Sequence, residues 1–232
     1  MIDVVFFDVD GTLVDHDGAA SRAVTQWVVG QGWSGPSDEL VSLWEAIAER
    51  NFTMYRAGQI SFQEQRRSRV REFLPILGVG VGGWTSSQLD ATFENYLRHY
   101  EAAWQTFDDV RPGLERIHGD FRLAVLSNGD QDQQEQKLRA VDLDSYFDNV
   151  MTSSVLGKSK PDVRAFELAC EGMNTEPGRA LCVGDQLEVD VQPALSAGLQ
   201  AALVDRSRSY HHQSNAYQVV SGLTELIVSD DS

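Results

Sequence analysis

Two aspartates one residue apart close a short apolar run near the start of the chain, Val4-Val5-Phe6-Phe7-Asp8-Val9-Asp10-Gly11-Thr12. Residues 2–7 read as a strand buried on both faces, the pattern of a parallel sheet. Asp8 and Asp10 then fall at or just past its carboxyl end, the edge at which open α/β sheets bind ligands. Period-two alternation puts both carboxylates on one side and Val9 on the other. Like charges that close are unfavourable unless a cation or a proton sits between them. The pair therefore asks for a metal, an acid/base role, or both. The plainer alternative is a strand ending in a polar turn, since Asp-Gly is a common turn dipeptide.

Three more polar sites sit where a strand ends or a helix begins. Leu126-Ser127-Asn128-Gly129 offers a hydroxyl and backbone N–H groups that could cradle an oxyanion or simply cap a helix. In Lys158-Ser159-Lys160-Pro161-Asp162, Pro161 is expected to open a helix, which puts Lys160 immediately before it. The helix dipole opposes a cation there unless carboxylates or a phosphate lie opposite; otherwise Lys160 is a solvated loop lysine. In Val183-Gly184-Asp185-Gln186-Leu187-Glu188-Val189-Asp190, Gly184 allows close backbone approach, Asp185 ends a strand, and Asp190 follows one helical turn later. Mg2+ takes one or two carboxylates and completes its octahedron with waters and substrate oxygens; Asp8 and Asp185 would supply that.

The elements that must position these residues alternate. Apolar, β-rich runs recur at 122–126, 149–152, 179–183 and 201–204, with helical patterns at 131–140, 161–172 and 188–197, the last stopping at Gly198. Such alternation indicates an α/β fold with a mainly parallel sheet. Between residues 17 and 105 strand patterns give way to helical segments near 19–30, 37–57, 61–77 and 86–104, read as an insertion after the first strand. Trp27, Trp33, Trp44, Trp84 and Trp104 all fall inside it and are expected to form its own core.

The chain has 232 residues, enough for one large domain or a domain carrying a smaller inserted one; 42% are hydrophobic and 23% charged, so a packed core is expected. A formal net charge of −16 argues against nucleic acid and against anionic membranes as partners. An anionic substrate would need a local positive field from a metal, a lysine or helix N-termini. The first apolar run is short, holds Asp3 and lacks a basic flank, unlike a secretory signal. No stretch is long and apolar enough to span a bilayer. Cys170 and Cys182 sit apart in apolar runs and read as buried thiols, which suits a reducing cytoplasm. His211 and His212 have no obvious third ligand for zinc, and residues 229–232 look like a solvated end.

Taken in order, the four sites resemble the four motifs of the haloacid dehalogenase-like (HAD) hydrolase superfamily. Asp8-Val-Asp10-Gly-Thr is similar to motif I, Ser127-Asn128-Gly129 to motif II, Lys160-Pro161 to motif III and Gly184-Asp185…Asp190 to motif IV. The resemblance implies a Rossmann-like, doubly wound parallel sheet over residues 1–16 and 106–232, with a helical cap of the C1 type over 17–105 that opens and closes over the site. It implies a Mg2+-dependent phosphatase acting on a small phosphomonoester metabolite in the cytoplasm. Asp8 would be the nucleophile that forms an aspartyl-phosphate, and Asp10 the acid and then the base. Ser127, Asn128 and Lys160 would hold the phosphoryl oxygens. The metal would bind the Asp8 carboxylate, the Asp10 carbonyl and Asp185, with Thr12 and Asp190 supporting from behind. Relatives often carry Asn or another polar residue where this chain has Val189, which bears on the water network. Dehalogenases of the same fold lack the second Asp, because a halide leaving group needs no proton and an alkoxide does; Asp10 therefore favours phosphate esters over 2-haloacids. A phosphomutase shares the motifs. Receiver domains, phosphorylated on Asp as switches, have no acidic motif after the lysine and no cap.

Substrate choice would lie in the insertion, where Arg56 and the run Arg66-Arg67-Ser68-Arg69-Val70-Arg71 are the visible basic residues. If they only balance the acidic surface, Arg56→Ala and Arg66→Ala leave KM unchanged for anionic and neutral phosphate esters alike. A rise confined to esters with a second anionic group would instead assign one of them to the substrate.

Overall fold

The computed structural model describes residues 1–210 and 214–228; His211, His212 and the segment 229–232 lie outside them. The chain divides into two compact units, Met1–Asp15 with Gln105–Ser232, and His16–Trp104. In chain order the helices are α1 (His16–Gly30), α2 (Asp38–Arg56), α3 (Phe62–Phe73), α4 (Ser86–Ala102), α5 (Val110–Ile117), α6 (Gln131–Ala140), α7 (Ser153–Leu156), α8 (Val163–Gly172) and α9 (Gln192–Ser196). Helices α1 to α4 make up the second unit.

The first unit is built on strands β1 (Val4–Phe7), β2 (Arg122–Ser127), β3 (Asn149–Thr152), β4 (Ala180–Gly184), β5 (Gln200–Val204) and β6 (Gln218–Val220), all parallel in the order β3-β2-β1-β4-β5-β6. This is a doubly wound, Rossmann-like α/β sheet. The chain works outward to β3 on one side of β1 and then returns to build β4, β5 and β6 on the other. The reversal places a switch point beside β1, where such sheets carry their ligand sites. Every residue of β1 is fully buried, as a central strand covered on both faces requires. Val4 and Phe6 pack in a cluster with Ala165, Phe166 and Ala169 of α8 and Ala194 of α9.

Two helices differ from their sequence pattern. The expected helix over 161–172 begins only at Val163, because Asp162 caps it by accepting the Arg164 N–H (2.9 Å). Aspartate is the stronger start signal, and Pro161 is left in the preceding turn. Lys160 is consequently not adjacent to the helix. The expected helix over 188–197 is a π-helical turn, Leu187–Val191, followed by the short α9. Pro193 has no N–H to give an unbroken helix, so the regular turns restart around it. Gly198 does close α9, at φ +87°, with Leu199 N donating to Ala194 O (3.0 Å). The edge strand β6 has only three residues and no period to read. Helices α5 and α7 were also not visible in the pattern.

In the second unit, side-chain caps start two helices: Ser61 accepts from Glu64 N, and Thr85 forms a reciprocal capping box with Gln88. Trp27 and Trp44 are buried with Phe73, Phe93 and Tyr96, and Trp27 stacks on Phe73 at 5.6 Å. Trp104 is buried against Tyr100. Trp33 and Trp84 are only half-buried, so three of the five tryptophans form core. The basic run of α3 splits by face. Arg67 makes a bidentate pair with Asp90 (2.7 and 2.8 Å) and Arg71 pairs with Glu64, whereas Arg69 lies over the Trp44 ring at 4.3 Å and Arg66 over Phe62 at 4.4 Å. On α2, Arg56 pairs with Glu49. Among the described residues no helix is long and apolar enough to cross a membrane.

Candidate active site

The register of the sheet brings the four sequence sites to one edge. Phe7 is level with Val125 of β2 and Val183 of β4, and Asp8 N donates to Val183 O (2.9 Å). Asp8 therefore leaves β1 level with Leu126 and Gly184, one step short of Ser127 and Asp185. At its centre Lys160 reaches between two carboxylates, with Nζ 2.7 Å from Asp8 Oδ1 and 2.6 Å from Asp190 Oδ1. All three side chains are buried, Lys160 to 2% and Asp190 to 1% exposure.

Backbone contacts place that lysine. The Asn128 amide brackets it, Oδ1 accepting from Lys160 N and Nδ2 donating to Lys160 O, both at 2.8 Å. Asp190 is held from its other oxygen by Gln186 N (3.1 Å), inside the π-helical turn. A Cβ on Gly184 would lie 2.4 Å from the Asp190 side chain, so the close approach read at this glycine is made by Asp190 itself. Gly11 plays the matching part for Asp185. Its φ is +87° and a Cβ there would stand 2.3 Å from Asp185 Oδ2. Thr12 Oγ1 faces Asp185 Oδ1 at 3.4 Å. Ser127 is buried at the end of β2, its Oγ accepting from Gly129 N (3.2 Å).

Oxygens of Asp8, Asp185 and Asp190 all lie within 4.8 Å of one another. Asp10 turns its carboxylate toward α6 instead, accepting from Lys137 Nζ (2.5 Å) and Gln134 Nε2 (3.0 Å). Neither Gln134 nor Lys137 was singled out in the sequence. Helix α6 carries one buried apolar residue, Leu138, so no hydrophobic stripe marks its inner face. A second omission is Arg206, just past β5. It donates to Gly11 O (3.2 Å) and Thr12 O (2.5 Å), pairs with Asp109 (2.6 Å) and lies 3.7 Å over the Phe107 ring. Following the carboxyl end of the 201–204 strand two residues further would have found it.

Charge is out of balance at this edge. Four carboxylates, those of Asp8, Asp10, Asp185 and Asp190, meet two ammonium groups, those of Lys160 and Lys137, a formal excess of two negative charges when all are ionised. Burial pushes Asp8 well above the usual carboxylate range; Lys160 opposes the rise, while Asp190, Asp185 and Asp10 add to it. Burial and the neighbouring Asp190 push Asp185 up to about 6. For Lys160 burial acts to lower the value, but Asp190 and Asp8 outweigh it and the ammonium is held charged. Burial alone raises Cys170 to about 11, an inert thiol.

A family model described as haloacid dehalogenase-like hydrolase matches residues 2–198. The chain belongs to the haloacid dehalogenase-like hydrolases. This HAD hydrolase is 27% identical over 235 residues to glyceraldehyde 3-phosphate phosphatase of Methanothermobacter thermautotrophicus, covering 100% of this chain and 97% of that protein. It is 27% identical over 211 residues to N-acylneuraminate-9-phosphatase of Homo sapiens, covering 86% and 80%. Among solved structures it superposes on YfnB, a proposed HAD-hydrolase of Bacillus subtilis solved bound to magnesium, with TM-score 0.81, 20% identity and coverage of 97% and 96%. A 2-haloacid dehalogenase from Pseudomonas syringae pv. Tomato DC3000 gives TM-score 0.68 at 25% identity, covering 97% and 96%.

Burial of Asp185 beside Asp190 has a measurable consequence. Asp185 is raised from 3.8 to about 6 on folding, so between those pH values the folded chain binds the proton that the unfolded chain has lost. Its contribution to stability thus falls as pH rises through that window and stays low above it. In EDTA, Asp185→Asn is expected to stabilise the protein by about 1–3 kcal/mol at pH 7, with the gain shrinking at pH 5. Thermal melts of both proteins at the two pH values check this; an equal or lower Tm for the variant at pH 7 contradicts it.

Proposed function

We propose that this HAD hydrolase is a Mg2+-dependent phosphatase that hydrolyses a small phosphomonoester through an aspartyl-phosphate on Asp8. The observation that carries the reading is the carboxyl pair at the switch point, Asp8 buried against Lys160 and Asp10 two residues on with its own donors. In this reading Asp8 attacks phosphorus, and the bond from phosphorus to the ester oxygen breaks as the one to Asp8 forms. Asp10, entering this step as the carboxylic acid, gives its proton to the departing alkoxide. It then takes a proton from water as the water oxygen attacks phosphorus and releases Asp8. Splitting one displacement into two lowers each barrier, and placing a proton donor at the leaving oxygen contributes about 100- to 10,000-fold.

Ser127, Asn128 and Lys160 are the donors for the phosphoryl oxygens, where fixed hydrogen bonds and charge do most of the work of phosphoryl transfer. Lys160 suits this part because its ammonium is held charged and its position is set by the Asn128 bracket. Thr12 and Asp190 act through Asp185 and Lys160.

The residues present fit a divalent cation. The donors are hard carboxylate oxygens, which favour Mg2+ over softer metals, and a divalent ion would offset the formal excess of negative charge and favour an ionised Asp8. Asp8, Asp185 and the Asp10 backbone carbonyl would hold it. When bound, it offsets negative charge on the phosphoryl group and the nucleophile.

The curated relatives named as phosphatases support the ester class, and their modest identity leaves the substrate open among phosphoglycolate, sugar phosphates and nucleoside monophosphates. The helical unit, as the family's cap, is where that choice belongs. With a net charge of −16, a small metabolite rather than nucleic acid is the expected partner.

A panel of small phosphomonoesters tests the reading. Phosphate release is expected with Mg2+ and not with EDTA, and Asp8→Asn is expected to lower it by about 1,000-fold or more. Release that survives EDTA or Asp8→Asn contradicts the proposal. Halide release from a 2-haloacid with no phosphate release from any ester would replace it with dehalogenation.

A further inference from the structure

We infer that helix α6 supplies two positioning residues, Gln134 and Lys137, that fix the Asp10 carboxylate for proton transfer. The inference rests on the phosphatase reading above, and it gives a task to residues that the family motifs leave aside.

Buried lysine is rare because its charge must be compensated. Lys137 is 1% exposed on a helix whose other residues are almost all polar, and its compensation is Asp10 Oδ1 at 2.5 Å. Gln134, one turn earlier on the same face and 2% exposed, donates Nε2 to Asp10 Oδ2 at 3.0 Å. One donor on each oxygen sets both side-chain torsions of Asp10, which otherwise sits in a loop past the end of β1. The Asp10 side chain keeps 30% of its exposure while Lys137 is buried behind that contact. Holding a proton carrier in one orientation is worth a large share of its catalytic effect, since small displacements of reacting atoms cost rate steeply.

Two further observations show that this contact is built and not incidental. A Cβ on Gly129 would lie 2.3 Å from Gln134 Nε2 and 2.8 Å from its Cγ. The glycine of the Ser127-Asn128-Gly129 turn therefore makes room for the Gln134 side chain to pass toward Asp10. Gln134 Oε1 is buried with no hydrogen-bond partner among the described residues. The amide cannot flip to relieve this, because its oxygen would then face the Asp10 carboxylate. An unsatisfied buried acceptor destabilises the fold, and a residue present only to pack would not need one.

The test compares an ester whose leaving group needs a proton with one whose leaving group does not. For glycerol 3-phosphate the leaving oxygen is an alkoxide; for p-nitrophenyl phosphate it is a stable phenolate. With kcat/KM measured in Mg2+, Lys137→Met and Gln134→Met are each expected to lose at least tenfold more on glycerol 3-phosphate than on p-nitrophenyl phosphate. On an Asp10→Asn background neither change should produce a further loss. Equal losses on both esters, or losses that add to that of Asp10→Asn, overturn the inference and leave the pair a structural one. Should Lys137→Met fail to fold, Gln134→Met, which removes no charge, decides the matter alone. A wild-type protein inert toward both esters and toward the wider panel overturns the phosphatase reading itself, and this inference with it.

Discussion

Everything at the active edge is arranged around one buried cation. The Lys160 ammonium lies 2.7 Å from Asp8 and 2.6 Å from Asp190 with all three groups nearly removed from water. Such a group is costly to bury, and removing either sign from a buried pair typically costs about 3–5 kcal/mol because the other is left uncompensated. The carboxylates therefore need the lysine and the lysine needs both of them. Yet one ammonium cannot neutralise two carboxylates, and Asp185 adds a third beside them. The site is left under electrostatic tension that a divalent cation would relieve.

Keeping these charges together constrains the chain around them. The sheet order puts β1 between β2 and β4, so Asp8, Ser127 and Asp185 leave neighbouring strands at one edge. Side chains then reach across where glycines give them room: Asp185 over Gly11, Asp190 over Gly184, Gln134 over Gly129. The glycines of motif-like turns are often read as flexible or as making room for a ligand. Here each one faces a polar side chain of the protein itself. Arg206 completes the frame by donating to the carbonyls of Gly11 and Thr12, and Asp109 holds Arg206 while also accepting from Leu223 N (2.7 Å). Burial would push the Asp109 carboxyl up, but Arg206 and the Leu223 N–H hold it below its ordinary value, so the clamp stays ionised.

The sheet and the order of polar sites were legible because each is a local signal. An apolar run followed by a carboxylate or hydroxyl reads as a strand end without knowledge of what lies beside it, and Asp8, Ser127 and Asp185 all carry it. Lys160 was readable as a cation in need of a counter-charge, but the partner Asp190 lies 30 residues away and only the fold pairs them. The start of α8 was misplaced because Pro161 and Asp162 are competing start signals and the cap prevailed. Residues 188–197 carry a helical composition, yet Pro193 forces the regular helix to restart and a π-helical turn brings Asp190 to Lys160. Gln134 and Lys137 were invisible for a different reason. Their burial is driven by charge and hydrogen bonding, and polar burial leaves no hydrophobic period in the sequence.

The most direct test of this account is to look for the covalent bond it requires. Asp10→Asn should form the intermediate from p-nitrophenyl phosphate, whose leaving group needs no proton, but should be slow to resolve it with water. Acid-quenched mass spectrometry of that variant in Mg2+ is expected to find a phosphoryl group on the peptide containing Asp8, and none when Asp8 is replaced by Asn. Release of p-nitrophenol with phosphate on another residue, or on none, would contradict Asp8 as the nucleophile and with it the account of the site.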